Sequence, residues 1–211
     1  MTVVPLDQAR LEAGLAELAE RDAALAAQLA RLGPPAARVR PPGFATLLQI
    51  VTAQQISTRA AAAVWGRLEA RLGTVTPTAL LAVPAEDLRA AGLSGRKVDY
   101  ALGLARAVAD GAVDLEALVG ADDEAAIEAI TALKGFGRWS AEIYLLFALG
   151  RADAFPADDL ALRLAAGRLK GGEQRPGPVA ARELVAPWAP WRGCGAIFLW
   201  HYYGAATLDR T

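Results

Sequence analysis

The sequence predicts an all-α fold, and three observations carry that expectation. Alanine-rich runs such as Ala60 to Ala63 are abundant, apolar residues recur at three- and four-residue steps, and alternating β-branched segments are scarce. A chain of 211 residues that is 54% hydrophobic and 21% charged can fill a substantial core, so one compact helical domain over residues 1–211 is expected.

Leu11, Leu15, Leu18, Leu25, Leu29 and Leu32 fall on one face of a helix expected over residues 6–32, which Gly33, Pro34 and Pro35 end. That stripe suits a helix docking on its own core or, alternatively, a coiled-coil partner. After a loop rich in Pro and Arg, one long helix is expected over residues 44–72, closed by Gly73. Its apolar face is interrupted by Gln54, Gln55, Ser57 and Thr58, and polar groups there need a reason. Thr76 and Pro77 read as a helix cap and first-turn proline, and Pro84 opens a short helix ending at Gly92. Two further helices are expected over residues 95–110 and 122–133, the second opened by Asp122, Asp123 and Glu124, which complement the helix dipole. A short hairpin leads into residues 138–149, a loop into a helix near Asp158, and a last helix follows Trp191 through Trp200.

The formal net charge is -1 and the pI about 5.9, which argues against a nucleic-acid partner unless backbone amides and a local arginine cluster hold the phosphates. The single cysteine, Cys194, excludes an internal disulfide or a four-cysteine metal site and reads as a small buried residue. The opening MTVVPLDQAR has no basic stretch followed by an apolar core, and no apolar run reaches the ~18 residues a bilayer span needs. A cytoplasmic protein without membrane contact is the expectation.

The most informative stretch is Leu133-Lys134-Gly135-Phe136-Gly137-Arg138-Trp139-Ser140-Ala141, two closely spaced glycines between two amphipathic segments. Glycine permits positive φ and leaves the backbone uncovered, and a helix N-terminus with exposed amides suits a phosphate. A plain αα-hairpin with a tight turn is the competing reading. The pattern Leu-x-Gly-Phe-Gly-Arg-Trp-Ser-Ala resembles the helix-hairpin-helix motif of the HhH-GPD superfamily of DNA glycosylases, which grips the strand beside a lesion. The resemblance implies DNA contacts at Gly135, Phe136, Gly137, Arg138 and Ser140. It also implies a monovalent cation, Na+ or K+, on the backbone carbonyls of Thr131, Leu133 and Phe136, with no cofactor required.

Further on, Phe155-Pro156-Ala157-Asp158-Asp159-Leu160 places two acids at a helix start, where capping and solvation alone could account for both. Some twenty residues after the hairpin, the segment resembles the Gly/Pro-Asp loop of the same superfamily. The resemblance makes Asp159 the catalytic carboxylate and Asp158 the helix cap; periodicity cannot choose between neighbours. A fixed anion in a dry pocket stabilises the oxocarbenium-like cation formed when a glycosidic bond breaks, and can orient the attacking water. An alkylated purine is already cationic and leaves without a dedicated acid.

The extruded base needs an aromatic slot. Trp139 and Trp200 are the candidates, together with Ile143, which stands where some members carry an aromatic, and its neighbour Tyr144. The segment from Pro190 to Trp200 resembles the closing helix of alkylation-repair glycosylases, with Gly193 in place of a serine cap, so a looser helix start is expected. Gln54-Gln55-Ile56-Ser57 resembles the segment that enters the duplex from the minor groove, with Gln55 filling the vacated space; a polar, partly exposed helix face is the alternative. Arg163 is a phosphate candidate, as are Arg168 and Lys170, although solvated charge is their default. His201, among aromatics at a helix end, reads as structural.

The resemblance runs over residues 41–204, preceded by an N-terminal helix and loop over 1–40, and is strongest to the 3-methyladenine DNA glycosylase II (AlkA-like) group. It implies two helical subdomains flanking an active-site cleft, and a monomer acting on double-stranded DNA that contains alkylated bases, nucleoid-associated when bound. Trp139 occupies the position of the lysine that bifunctional members use for Schiff-base chemistry, so base release without strand nicking is expected. The rivals are a non-catalytic helix-hairpin-helix DNA-binding module and a helical interaction protein using the leucine stripe.

Overall fold

In the computed structural model, which describes residues 2–172 and 175–208, the described chain contains helices and no strand. In order these are α1 (Gln8–Arg21), α2 (Ala23–Leu32), α3 (Phe44–Ala53), α4 (Thr58–Leu72), α5 (Pro77–Leu81), α6 (Ala85–Ala90) and α7 (Gly95–Ala109). There follow α8 (Ala117–Gly120), α9 (Asp123–Thr131), α10 (Arg138–Phe147), α11 (Leu160–Leu169), α12 (Pro178–Val185), a 3-10 turn (Ala186–Trp188) and α13 (Arg192–Leu208). Short polar residues set the starts: Asp7, Asp22, Ser57, Thr76, Ser94, Asp122 and Asp159 each accept a first-turn amide, satisfying a donor that has no intrahelical partner.

The chain packs as two compact units, one of Met1–Val3 and Arg40–Tyr144, the other of Val4–Val39 and Leu145–Thr211. The boundary falls inside α10. In the first unit α7 packs against α3, α5 and α6, around a core that includes Leu47, Leu48, Val51, Leu80, Leu88 and Leu104. Tyr144 is wholly buried in this unit, and its hydroxyl accepts the Gly43 amide at 2.8 Å.

In the second unit α13 packs against α1, α2 and α11. The leucine stripe is used here: Leu11, Leu15, Leu18 and Leu25 are fully buried, so the segment docks on the core of the second unit and needs no coiled-coil partner. The packing of α1 on α13 depends on missing side chains. A Cβ on Gly14 would lie 2.7 Å from the Cys194 Sγ, and one on Gly195 2.4 Å from the Trp188 ring. Burial pushes the Cys194 thiol up to about 12, which makes it an inert packing residue.

Two expected helices are each divided. The helix over residues 6–32 breaks at Asp22, whose Oδ1 accepts the Ala24 and Leu25 amides while Oδ2 accepts the Trp188 indole N–H at 2.7 Å and the Lys170 ammonium. An aspartate that can cap a new helix and meet a cation from α11 is worth more at a break than within a continuous helix. The helix over residues 44–72 likewise breaks at Gln54–Ser57, where Ser57 caps α4. The polar residues that seemed to interrupt an apolar face therefore lie in a corner. The short α8, α12 and the 3-10 turn are unexpected from the sequence, and α13 continues beyond Trp200 to Leu208.

Burial alone would raise the Asp22 pKa, but the hydrogen bonds from Lys170, Trp188 and the Leu25 amide outweigh it and hold the carboxyl below the usual range. Its stabilisation is therefore present above the unfolded value of about 3.9 and is lost as pH falls through the folded value. Asp22→Asn should cost about 2 to 4 kcal/mol in urea unfolding at pH 7, with the gap to the native protein narrowing below about pH 4.

Candidate catalytic and DNA-binding sites

The loop between α10 and α11 is held by two tight turns: the Ala157 amide donates to the Phe155 carbonyl at 2.8 Å, and the Asp159 amide to the Pro156 carbonyl at 2.9 Å. Arg182 Nη1 adds a bond to the Phe155 carbonyl at 3.1 Å. Asp158 is exposed and Asp159 half-buried. Asp159 is the cap of α11, with Oδ1 accepting the Leu162 amide at 3.0 Å, so the expected assignment of the cap to Asp158 is corrected. The capping position belongs to the residue directly before the first helical one, and Asp159 has the extended backbone that cap requires.

The same Oδ1 accepts the Trp200 indole N–H at 3.2 Å. One carboxylate oxygen is thus fixed by a backbone donor from α11 and a side-chain donor from α13. Trp200 is itself fixed: its ring stacks on Phe147 with centroids 5.8 Å apart and planes at 28°. Sequence reasoning missed Phe147, because an apolar residue at the end of α10 carries no signal beyond core packing.

The start of α13 that sets the Trp200 position is firmly anchored, contrary to the looser start expected of Gly193. The Gly193 amide donates to the Ala152 carbonyl at 2.7 Å, and Asp153 accepts the Arg192 amide and, at 2.8 Å, its Nε. A Cβ at residue 193 would lie 2.6 Å from the Ala152 carbonyl oxygen and 2.9 Å from that of Ala154. Glycine stands there because the backbone of the preceding loop occupies the space, and Asp153 caps from a distance.

The remaining candidates in this unit divide. Lys170 is paired with Asp22 and lies over the Trp188 ring, and Arg168 lies over the ring of Tyr203, 5.9 Å away. His201 sits against Phe198 with Nε2 3.4 Å from the Leu32 carbonyl, a structural place as expected. The Arg163 Nε is buried without a hydrogen-bond partner.

In the other unit, α9 and α10 form the hairpin. Gly135 has φ +92°, and a Cβ there would lie 2.3 Å from the Tyr100 ring, so glycine is required twice over. Gly137 has no positive φ; it is exposed, with open space where a Cβ would be, directly before the first turn of α10. Phe136 is buried and its amide donates to the Leu133 carbonyl at 3.1 Å. The Thr131 hydroxyl donates to the Ile127 carbonyl at 2.8 Å. Arg138 pairs with Glu124 through both terminal nitrogens and with Glu142 at 3.0 Å, which engages the guanidinium expected at phosphate. Ser140 is buried, and its hydroxyl meets Gln54 Nε2 at 3.0 Å.

Trp139 is half-buried on α10, with Ile143 one turn along and nearly buried. Tyr144, one residue further, is wholly buried with its hydroxyl bonded to the Gly43 amide, and its inclusion in a substrate slot is corrected: at ~100° per residue it lies about 140° around the helix from Trp139. Trp139 belongs to one unit and Trp200 with Asp159 to the other. Among the described residues no cluster of three or more His, Cys, Asp or Glu is placed to hold a metal ion, and no helix is long and apolar enough to cross a membrane.

An all-helical fold whose glycine hairpin precedes a fixed aspartate defines a class, and the comparisons agree. Residues 48–190 match the family described as HhH-GPD superfamily base excision DNA repair protein, and the chain belongs to that family. It is similar to DNA-3-methyladenine glycosylase 1 of Schizosaccharomyces pombe, 32% identical over 161 residues that cover 74% of this chain and 71% of that one. Among solved structures it resembles the DNA-3-methyladenine glycosidase of Bacillus halodurans, with TM-score 0.79, 30% identity and coverage of 99% and 95% of the two chains. It also resembles the S. pombe 3-methyladenine DNA glycosylase Mag1 in complex with abasic DNA, with TM-score 0.81, 28% identity and coverage of 96% and 98%.

Gly193→Ala should lower stability by about 1 to 3 kcal/mol, because an overpacked Cβ against backbone oxygens outweighs the helix preference of alanine. Denaturant unfolding checks it, and a stabilised variant would refute the steric account.

Proposed function

We propose that this protein is a monofunctional DNA glycosylase that extrudes alkylated purines, such as 3-methyladenine, from double-stranded DNA and hydrolyses the N-glycosidic bond. The observation that carries the reading is the Asp159 carboxylate, with one oxygen immobilised by Leu162 N–H and Trp200 Nε1–H in the loop after the hairpin. An anion whose position is set before the reaction stabilises the developing positive charge on the deoxyribose without reorganising. The same group takes a proton from, or aligns, the water that attacks the anomeric carbon.

Trp200 adds an electron-rich ring backed by Phe147, a surface suited to an electron-poor methylated base. No lysine occurs in α10, and Trp139 stands where a Schiff-base lysine would be required, so release of the base should leave an abasic site with the strand intact. On an acidic chain, strand contact falls to the Gly137 end of α10, to Arg163 and to the corner carrying Gln55, more than to a basic surface. The carbonyl oxygens of Thr131, Leu133 and Phe136 would hold a hard monovalent cation, which would fix the hairpin backbone; the Leu133 oxygen, bonded to the Phe136 amide, keeps a second lone pair for it. The protein acts as a monomer in the cytoplasm on this reading.

Chromatography of free bases released from methylated duplex DNA tests it. Native protein and Asp158→Asn should release methylpurines, and Asp159→Asn should lose about 10² to 10⁴ in rate. DNA binding with no release by the native protein would instead mark a non-catalytic helix-hairpin-helix module. Trp200→Phe keeps an aromatic ring on Phe147 but removes the donor to Asp159, and single-turnover release should slow about tenfold; an unchanged rate would show that the donor is dispensable.

A further inference from the structure

The corner between α3 and α4 is strained and braced. Gln55 has φ +58°, the left-handed region, and among the described residues it alone combines positive φ with a side chain. A residue with a side chain rarely populates this conformation, which persists only where the surroundings hold it. Two side chains do so. The Lys97 ammonium, from α7, donates to the carbonyls of Thr52 at 2.8 Å and Gln54 at 2.7 Å, meeting the oxygens left unpaired at the end of α3. Gln54 Nε2 donates in turn to the Gly135 carbonyl and the Ser140 hydroxyl, both at 3.0 Å. Its amide is thus used within the protein, on the hairpin itself, while Gln55 and Ile56 are exposed, Ile56 to 40%.

We propose that Gln54 and Lys97 are positioning residues: they lock the exposed Gln55–Ile56 tip to the hairpin, so that the element entering the duplex and the element gripping the strand move as one body. This rests on the proposed glycosylase reading and reassigns Gln54, expected at DNA, to an internal brace. A wedge on a loose loop would bind DNA yet let the base fall back into the stack. A wedge registered against the strand grip turns strand affinity into extrusion. Lys97 suits the task because the three N–H donors of its ammonium can span two carbonyls, which offsets the burial that lowers its pKa.

The test compares native protein, Gln54→Met, Lys97→Met, Gln55→Ala and Asp159→Asn on duplexes carrying 2-aminopurine beside a methylated purine. Three quantities are read: dissociation constant, the fluorescence rise on unstacking, and single-turnover base release. Expected for Gln54→Met and Lys97→Met is DNA affinity within about threefold of native, with the fluorescence rise largely lost and release slowed between about tenfold and 10²-fold, as for a small misplacement of a reacting group. Asp159→Asn should keep the fluorescence rise and lose release, which separates failure of extrusion from failure of chemistry. A native fluorescence rise and rate in Gln54→Met would overturn the proposal. Amide hydrogen exchange provides an arm independent of activity: the amides of Val51, Thr52 and Ala53 in the last turn of α3, beside the corner, should exchange at least about tenfold faster in Gln54→Met while α7 and α10 keep native protection. Unchanged exchange in that turn would overturn the brace even if no substrate has been found.

Discussion

The double acceptance by one oxygen of Asp159 is the constraint around which the second unit is organised. To bring an indole N–H from α13 within 3.2 Å of the residue that caps α11, the start of α13 must be fixed to well under an ångström. That is the work of Ala152 and Asp153, which take three amides and a guanidinium, and of Gly193, whose missing Cβ lets the loop carbonyls approach. Further back, α1 holds α13 through Gly14 and Gly195, and the buried Asp22 joins α2, α11 and Trp188. Substitutions far from Asp159 should therefore reach it through helix placement, because close-packed interiors transmit displacement.

The first unit solves a different problem. On the proposed reading its exposed corner and its hairpin each present backbone or a short side chain to a polyanion, and two of the cations beside them are engaged within the protein. Arg138 is held by Glu124 and Glu142, and Lys97 by carbonyls. On the proposed reading this reconciles a net charge of -1 with membership of a DNA-repair family: Arg138 and Lys97 order the backbone, and partial charges on that backbone would do the contacting. Strand affinity built in this way depends less on released counterions than affinity from a basic face, so it should fall more gently with salt.

Short-range chemistry made much of this architecture readable from the sequence alone. The helical class follows from composition and period. Thr76, Asp122 and Gly73 mark helix ends because caps and positive φ are local demands, and Leu11, Leu15 and Leu18 mark a buried face because a stripe must be covered. The hairpin and the Asp159 loop were legible as ordered motifs whose glycine and proline requirements are likewise local. What the tertiary structure decided is where a residue's second partner comes from. Asp22 and Ser57 had the signature of caps, yet apolar periodicity ran through both, and only partners distant in the chain made a break the lower-energy choice at Asp22. Tyr144 and Trp139 look equally suited to a slot until one ring is buried and the other half-exposed. Lys97 and Phe147 carry no functional signal in sequence, and Gln54 and Gly193 carry one that points elsewhere, because their roles consist of contacts to Thr52, Trp200, Gly135 and Ala152, and which atoms meet across a fold is settled by packing.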